Sequence, residues 1–202
     1  MSANNSSLQS SPAVRPFIAY LSASSLWLAA MTLSSFIGSW LLIDRLEATP
    51  AQTGWAGGIS RLVPIAFLLA GGVLIDRSNG RSYLLLMHGL IVLPGLVLVA
   101  LIGTQHLSFS AVVIYMATMA ALQALSDPAR QAILTRVAPT DVQRSVTLVA
   151  LTGSIVSYLA ISLGGRMDAI GDETMLLIMS GLFILALGAI RYMPSIPCST
   201  DM

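Results

Sequence analysis

Two long apolar runs, Ile59–Ile75 and Tyr83–Ile102, meet at the charged turn that closes Gly71-Gly72-Val73-Leu74-Ile75-Asp76-Arg77-Ser78-Asn79-Gly80-Arg81. This feature constrains the fold more than any other. A helix needs about 17–25 mostly apolar residues to cross a bilayer, and both runs meet that length. The turn between them must then sit in water at one membrane face. Only 9% of the residues are charged, against roughly 25% in soluble domains, and mean hydropathy is +0.82. So few charges could not cover a soluble surface, which makes the chain an integral membrane protein.

Read in order, the chain divides into a polar tail over 1–16, six transmembrane helices over 17–193, and a short tail over 194–202. The first span, Phe17–Ile43, is too long for the apolar core of a secretory signal, which is about 7–15 residues. Ser25, Ala29, Thr32, Ser35 and Ser39 follow a helical period along it. Such a stripe is either a packing face, since small residues let membrane helices approach closely, or one wall of a polar cavity. Asp44, Arg45 and Glu47 form the first turn, with Pro50 and Gly54 expected as breakers. The second span, Ile59–Ile75, carries Arg61, either an interfacial anchor that snorkels or an intramembrane functional group.

The third span, Tyr83–Ile102, holds His88, with a kink expected at Pro94-Gly95. His88 reads as a hydrogen-bonded wall residue or as a proton relay. The fourth span begins near Leu107 and runs into Ser126-Asp127-Pro128-Ala129-Arg130. Asp before Pro suits a helix start or a kink in a longer helix ending before Pro139. Asp127 and Arg130 share a helix face, as a boundary ion pair or as a protonatable gating pair. Val146–Leu163 is the fifth span, residues 164–173 form a loop, and Met175–Ala189 is the sixth span.

All ten basic residues are arginine. Placing the hinge turn inside puts seven of them at the inner face and three at the outer, in accord with the positive-inside rule. Both termini are then cytoplasmic, in the cell inner (plasma) membrane. The two halves also resemble each other. YLLLMHGLIVL over 83–93 matches MLLIMSGLFIL over 175–185, and glycine pairs at Gly71-Gly72 and Gly164-Gly165 precede Asp76 and Asp168, with one residue's slip. An odd number of spans separates the copies, so they face opposite ways. The expected fold is all-α, a 3+3 inverted repeat of the kind that frames a binding site near the membrane midplane.

GGVLIDRSNGR resembles the loop between spans two and three of the major facilitator superfamily. DPARQAILTRVAPTDVQRSVTL is similar to the span-four-to-five segment of its bacterial enterobactin-exporter-like branch. The resemblance covers Phe17–Met193 and only the amino-terminal half of such a transporter. It implies that Gly72 packs closely against the other half, with Asp76 at an inter-half contact. Arg77 and Arg81 would complete a charge network around Gly80 that closes the inner side. Asn79 and Gly80 depart from the family pattern, and the fifth span lacks the Gly-Pro pair frequent in antiporters.

The resemblance implies secondary transport, with efflux of a small amphipathic or siderophore-like molecule by alternating access. Ser25, Thr32, Ser35, Ser39 and His88 are the candidate cavity-lining residues. One six-helix unit needs a second copy or a complementary carboxyl-terminal half, so the expected partners are the lipid bilayer, a small-molecule substrate and that second unit. The alternative is a truncated or accessory membrane protein that keeps the fold without transporting. Neither nucleic acid nor a cofactor is expected. The lone Cys198 excludes a disulfide framework or cysteine metal site. No catalytic constellation is present: Gly153-Ser154 is followed by Ile155-Val156, and His88 and His106 lack partner motifs, so an enzyme is not expected.

Overall fold

The computed structural model describes residues 14–76, 80–138 and 142–191, with side chains for 16–68, 82–138 and 143–191. Every element among them is helical. α1 (Val14–Trp40) ends in a π-helical turn at Leu41–Arg45, closed by the Leu46 amide on the Leu41 carbonyl. α2 (Pro50–Asp76) opens on a capping box. Its Thr49 hydroxyl accepts from the Gln52 amide while the Gln52 side chain accepts from the Thr49 amide, so both otherwise orphaned N–H groups are satisfied. Pro50 and Gly54, expected as breakers, instead open α2 and lie inside it; proline is tolerated at the first helical position because it has no N–H to orphan there.

α3 (Gly80–Leu90) and α4 (Val92–Gly103) make one apolar stretch interrupted at Ile91. The interruption lies a turn upstream of the expected Pro94-Gly95 kink. A proline ring collides with the carbonyl four residues before it and removes that carbonyl's hydrogen bond, and for Pro94 that carbonyl belongs to Leu90. α5 (Phe109–Val137) continues unbroken through Pro128, so Asp127-Pro128 lies inside a longer helix rather than at a start. The Tyr83 hydroxyl donates to the Leu125 carbonyl beside this proline, at 3.0 Å. α6 is Val142–Gly164, α7 is the single turn Met167–Ile170, and α8 is Asp172–Arg191. Residues 164–173, expected as a loop, thus hold a helical turn and the start of α8.

Five stretches among the described residues are long and apolar enough to cross a membrane: Pro16–Arg45, Ser82–Gly103, Phe109–Val137, Gln143–Gly164 and Asp172–Arg191. They make this an all-helical protein of the multi-pass membrane class. The expected second span, Ile59–Ile75, falls within α2, whose side chains are described as far as Leu68. α2 is 27 residues long, about 40 Å at 1.5 Å per residue.

α1 packs against α5, α6 and α8, while α5 packs against α1, α2 and the α3–α4 stretch, which also lies along α8. Lipid tails are as apolar as leucine, so close packing and interhelical hydrogen bonds hold such helices together. Both are present. A side chain at Gly153 would strike Leu28, one at Gly164 would strike Phe36, and one at Gly38 would strike Met116, each at 2.7 Å. The larger core cluster centres on Trp27, Leu33, Ile37, Met175, Met179 and Phe183. A second gathers Phe17, Tyr20, Tyr83, Leu84, Ile133 and Ile190 at the opposite end of the bundle.

Candidate functional site

Three polar features stand out against this apolar packing. The first is a cavity between α1, α2, α5 and α6. One lobe, of about 460 Å³, is lined by Thr32, Ser35 and Ser39 of α1, Gln123 of α5 and Ile161 of α6. The adjoining lobe, of about 310 Å³, shares Ser35, Ser39 and Gln123 and adds Ser60 and Arg61 of α2. Helical spacing explains the wall, because positions three and four apart on α1 stack on one face. Part of that face also packs: the Thr32 hydroxyl donates to the Ser157 hydroxyl of α6 at 3.2 Å. Ser39 donates to the Ser35 carbonyl. Both readings of the stripe therefore have physical content here. Ser25 lines neither lobe and donates to the Leu21 carbonyl.

The second feature is a buried polar cluster at the Tyr20 end of the bundle. Trp27 is fully buried, with the His88 ring 4.2 Å and the Phe183 ring 5.3 Å from its own. The Arg130 guanidinium lies over the same indole at 5.5 Å, a cation–π contact that is strengthened where water is absent. Arg130 also faces Asp127 at 3.6 Å, and its backbone carbonyl accepts from the Tyr20 hydroxyl at 3.0 Å. His88, expected among the cavity residues, is instead buried in this cluster, where its Nδ1 pairs with the Leu84 carbonyl at 2.8 Å. The structure therefore brings together two separate candidates, His88 and the Asp127–Arg130 pair, around a tryptophan that sequence reasoning missed.

The third feature is an ion pair between Arg45 and Asp172. Both residues read as loop charges, yet the Asp172 side chain is only 4% exposed while that of Arg45 is 55% exposed. Gly171, at φ +89°, turns the chain sharply so that Asp172 enters the first turn of α8, where the helix dipole favours a carboxylate. Removing Arg45 leaves a buried carboxylate without its partner, whereas neutralising Asp172 leaves an arginine that reaches water. Arg45→Ala is expected to lower stability by about 1–3 kcal/mol, the cost of an unsatisfied buried group, and Asp172→Asn by less. Thermal melts of both variants in the same detergent test this, and equal losses would contradict it.

The hinge motif is only partly described. Gly72 and Asp76 belong to the last turns of α2, and Gly80 and Arg81 to the first turn of α3, as backbone alone. Arg77 lies outside the described residues, and so do the side chains that would form the expected charge network. Among the described residues no cluster of histidine, cysteine or carboxylate side chains could hold a metal ion.

Gln123 also escaped sequence reading. Its signal was a single amide in the apolar run Ala120-Ala121-Leu122-Gln123-Ala124-Leu125, where hydrogen-bonding capacity without a partner is costly. No protein family, curated protein or solved structure matches the chain.

Proposed function

We propose that this chain is one six-helix half of a secondary transporter of the major facilitator type, built as a 3+3 inverted repeat. It would export a small amphipathic or siderophore-like molecule by alternating access, paired with a second copy or a complementary half. Both termini would be cytoplasmic, in the inner (plasma) membrane.

Support for the repeat comes from a single shift of 92 residues, the step from Tyr83 to Met175. That shift carries the buried Leu84, Met87, His88 and Ile91 onto the buried Leu176, Met179, Ser180 and Phe183. It also carries Tyr20, Trp27, Ser34 and Leu41 onto Val112, Met119, Ser126 and Ile133, again all buried. Gly72 and Asp76 fall on Gly164 and Asp168. Helix neighbours follow the same exchange, because α6 and α8 flank α1 as α2 and the α3–α4 stretch flank α5.

The observation that carries the transport reading is the position of the polar cavity. It lies between α1 and α5, the two helices this shift interchanges, and inverted-repeat transporters place their substrates at such a repeat interface. The cavity is also only partly enclosed, as half of a two-bundle site would be. Cells expressing the chain alone, or with a complementary half, would be preloaded with anionic, neutral and cationic amphipathic dyes. Export of at least one dye above the empty-vector rate is expected, together with a dimer in mild detergent when the chain is alone. A strictly monomeric protein silent toward every dye, with either partner, would refute transport and leave the accessory reading.

A further inference from the structure

Three polar side chains point into the 310 Å³ lobe with their hydrogen-bonding capacity unspent. Among the described residues, the Ser35 hydroxyl, the Gln123 amide and the Arg61 guanidinium line the lobe and make no hydrogen bond or ion pair. The other hydroxyls there are occupied: Ser34 pairs with the Tyr115 hydroxyl at 2.7 Å, Ser39 with the Ser35 carbonyl, and Ser60 with the Ala56 carbonyl. Gln123 sits fourteen residues along α5 from Phe109, about 21 Å from that helix end. Ser35 and Arg61 are exposed and Gln123 is half-buried, so their donors and acceptors are open to a small molecule that enters the lobe. Their convergence on one partly open cavity makes it a place where a single ligand could pair with all three.

Charge then selects the ligand. Among the described residues, Arg61 is the one ionised side chain lining either lobe, and no carboxylate lines them. A guanidinium offers a planar fork of donors matched to an acid group, while an ammonium ligand would meet Arg61 with no acid to offset it. Met31, Met116 and Met119 line the same lobe. Methionine is flexible and polarizable and adapts to differently shaped apolar bodies.

We propose that this lobe binds amphipathic organic anions. Arg61 takes the acid group, the Ser35 hydroxyl and Gln123 amide donate beside it, and the methionines hold the apolar body. The proposal rests on the transport reading for its biological sense, but its test measures binding alone.

Purified protein in nanodiscs would be titrated with 2-naphthalenesulfonate and with (2-naphthyl)trimethylammonium, which share an apolar body and differ in charge. The sulfonate should bind at least about tenfold more tightly, as loss of one charge-assisted hydrogen bond implies. Arg61→Gln should remove that preference and Arg61→Lys should keep most of it. Gln123→Glu, which places a carboxylate beside Arg61 and neutralises the lobe, should likewise remove the preference even if Arg61→Gln fails to accumulate. Equal binding of the two probes, no sulfonate binding, or sulfonate binding indifferent to both Arg61→Gln and Gln123→Glu would overturn the proposal. Selective binding without dye export would refute transport and leave this assignment standing.

Discussion

Trp27→Ala will cost about 3 kcal/mol of stability, the low end of the range for emptying a buried aromatic site. The low end applies because the transfer part of that range, from water into a core, is absent here: lipid tails are as apolar as the bundle interior. What remains is the void itself and the contacts it removes. The Trp27 ring touches His88 and Phe183 and carries the Arg130 guanidinium on its face, so α1, α3, α5 and α8 all lose a partner at once. Trp27→Phe, which keeps an aromatic face, should recover more than half of the loss. Reversible unfolding in mixed micelles provides the measurement. A loss below about 0.5 kcal/mol, the scale of a typical surface change, would mean that the indole does not hold these helices together.

The second large effect concerns α6, for which α1 supplies nearly all the packing. Gly153 and Gly164 are eleven residues apart, three helical turns, and both face α1, where an added Cβ would come within 2.7 Å of Leu28 or Phe36. Valine at both positions should force the helices apart, at a cost of about 1–3 kcal/mol per overpacked site. A crosslink reads the separation directly. The Thr32 and Ser157 hydroxyls are 3.2 Å apart, so Thr32→Cys with Ser157→Cys, in a Cys198→Ser background, should form a disulfide under mild oxidation. Adding Gly153→Val and Gly164→Val should abolish it. A crosslink that persists with both valines in place would show that α1 and α6 tolerate the bulk.

How much of this was legible in the sequence follows the range of each signal. Apolar runs are local, so the helices could be read, but Asp127-Pro128 left open a helix start or a kink in a longer helix, and α2 begins at Pro50 rather than near Ile59. The Pro94 break was misplaced by one turn because proline acts on the carbonyl behind it rather than at its own position. The Ser25–Ser39 stripe was visible from its period, but period alone cannot say that Thr32, Ser35 and Ser39 line the cavity while Ser25 bonds to its own helix. Asp172 looked like one more loop acid because its burial depends on Arg45, which lies 127 positions away in the chain. His88 belongs with Trp27 and Arg130 for the same reason: three helices must pack before any of those contacts exists. Non-local pairings of this kind leave no trace in composition or spacing.

The π-helical turn at Leu41–Arg45 makes the Arg45–Asp172 contact sensitive to chain length. A π turn holds one residue more than the α-helical turn it replaces, and such insertions recur where proteins reposition a functional group. A one-residue deletion that left the π turn in place would swing the guanidinium about 100° around the helix axis, away from the carboxylate on α8. Variation in the number of residues here, more than exchange of one side chain for another, would therefore decide whether the far ends of the first and last membrane helices stay fastened.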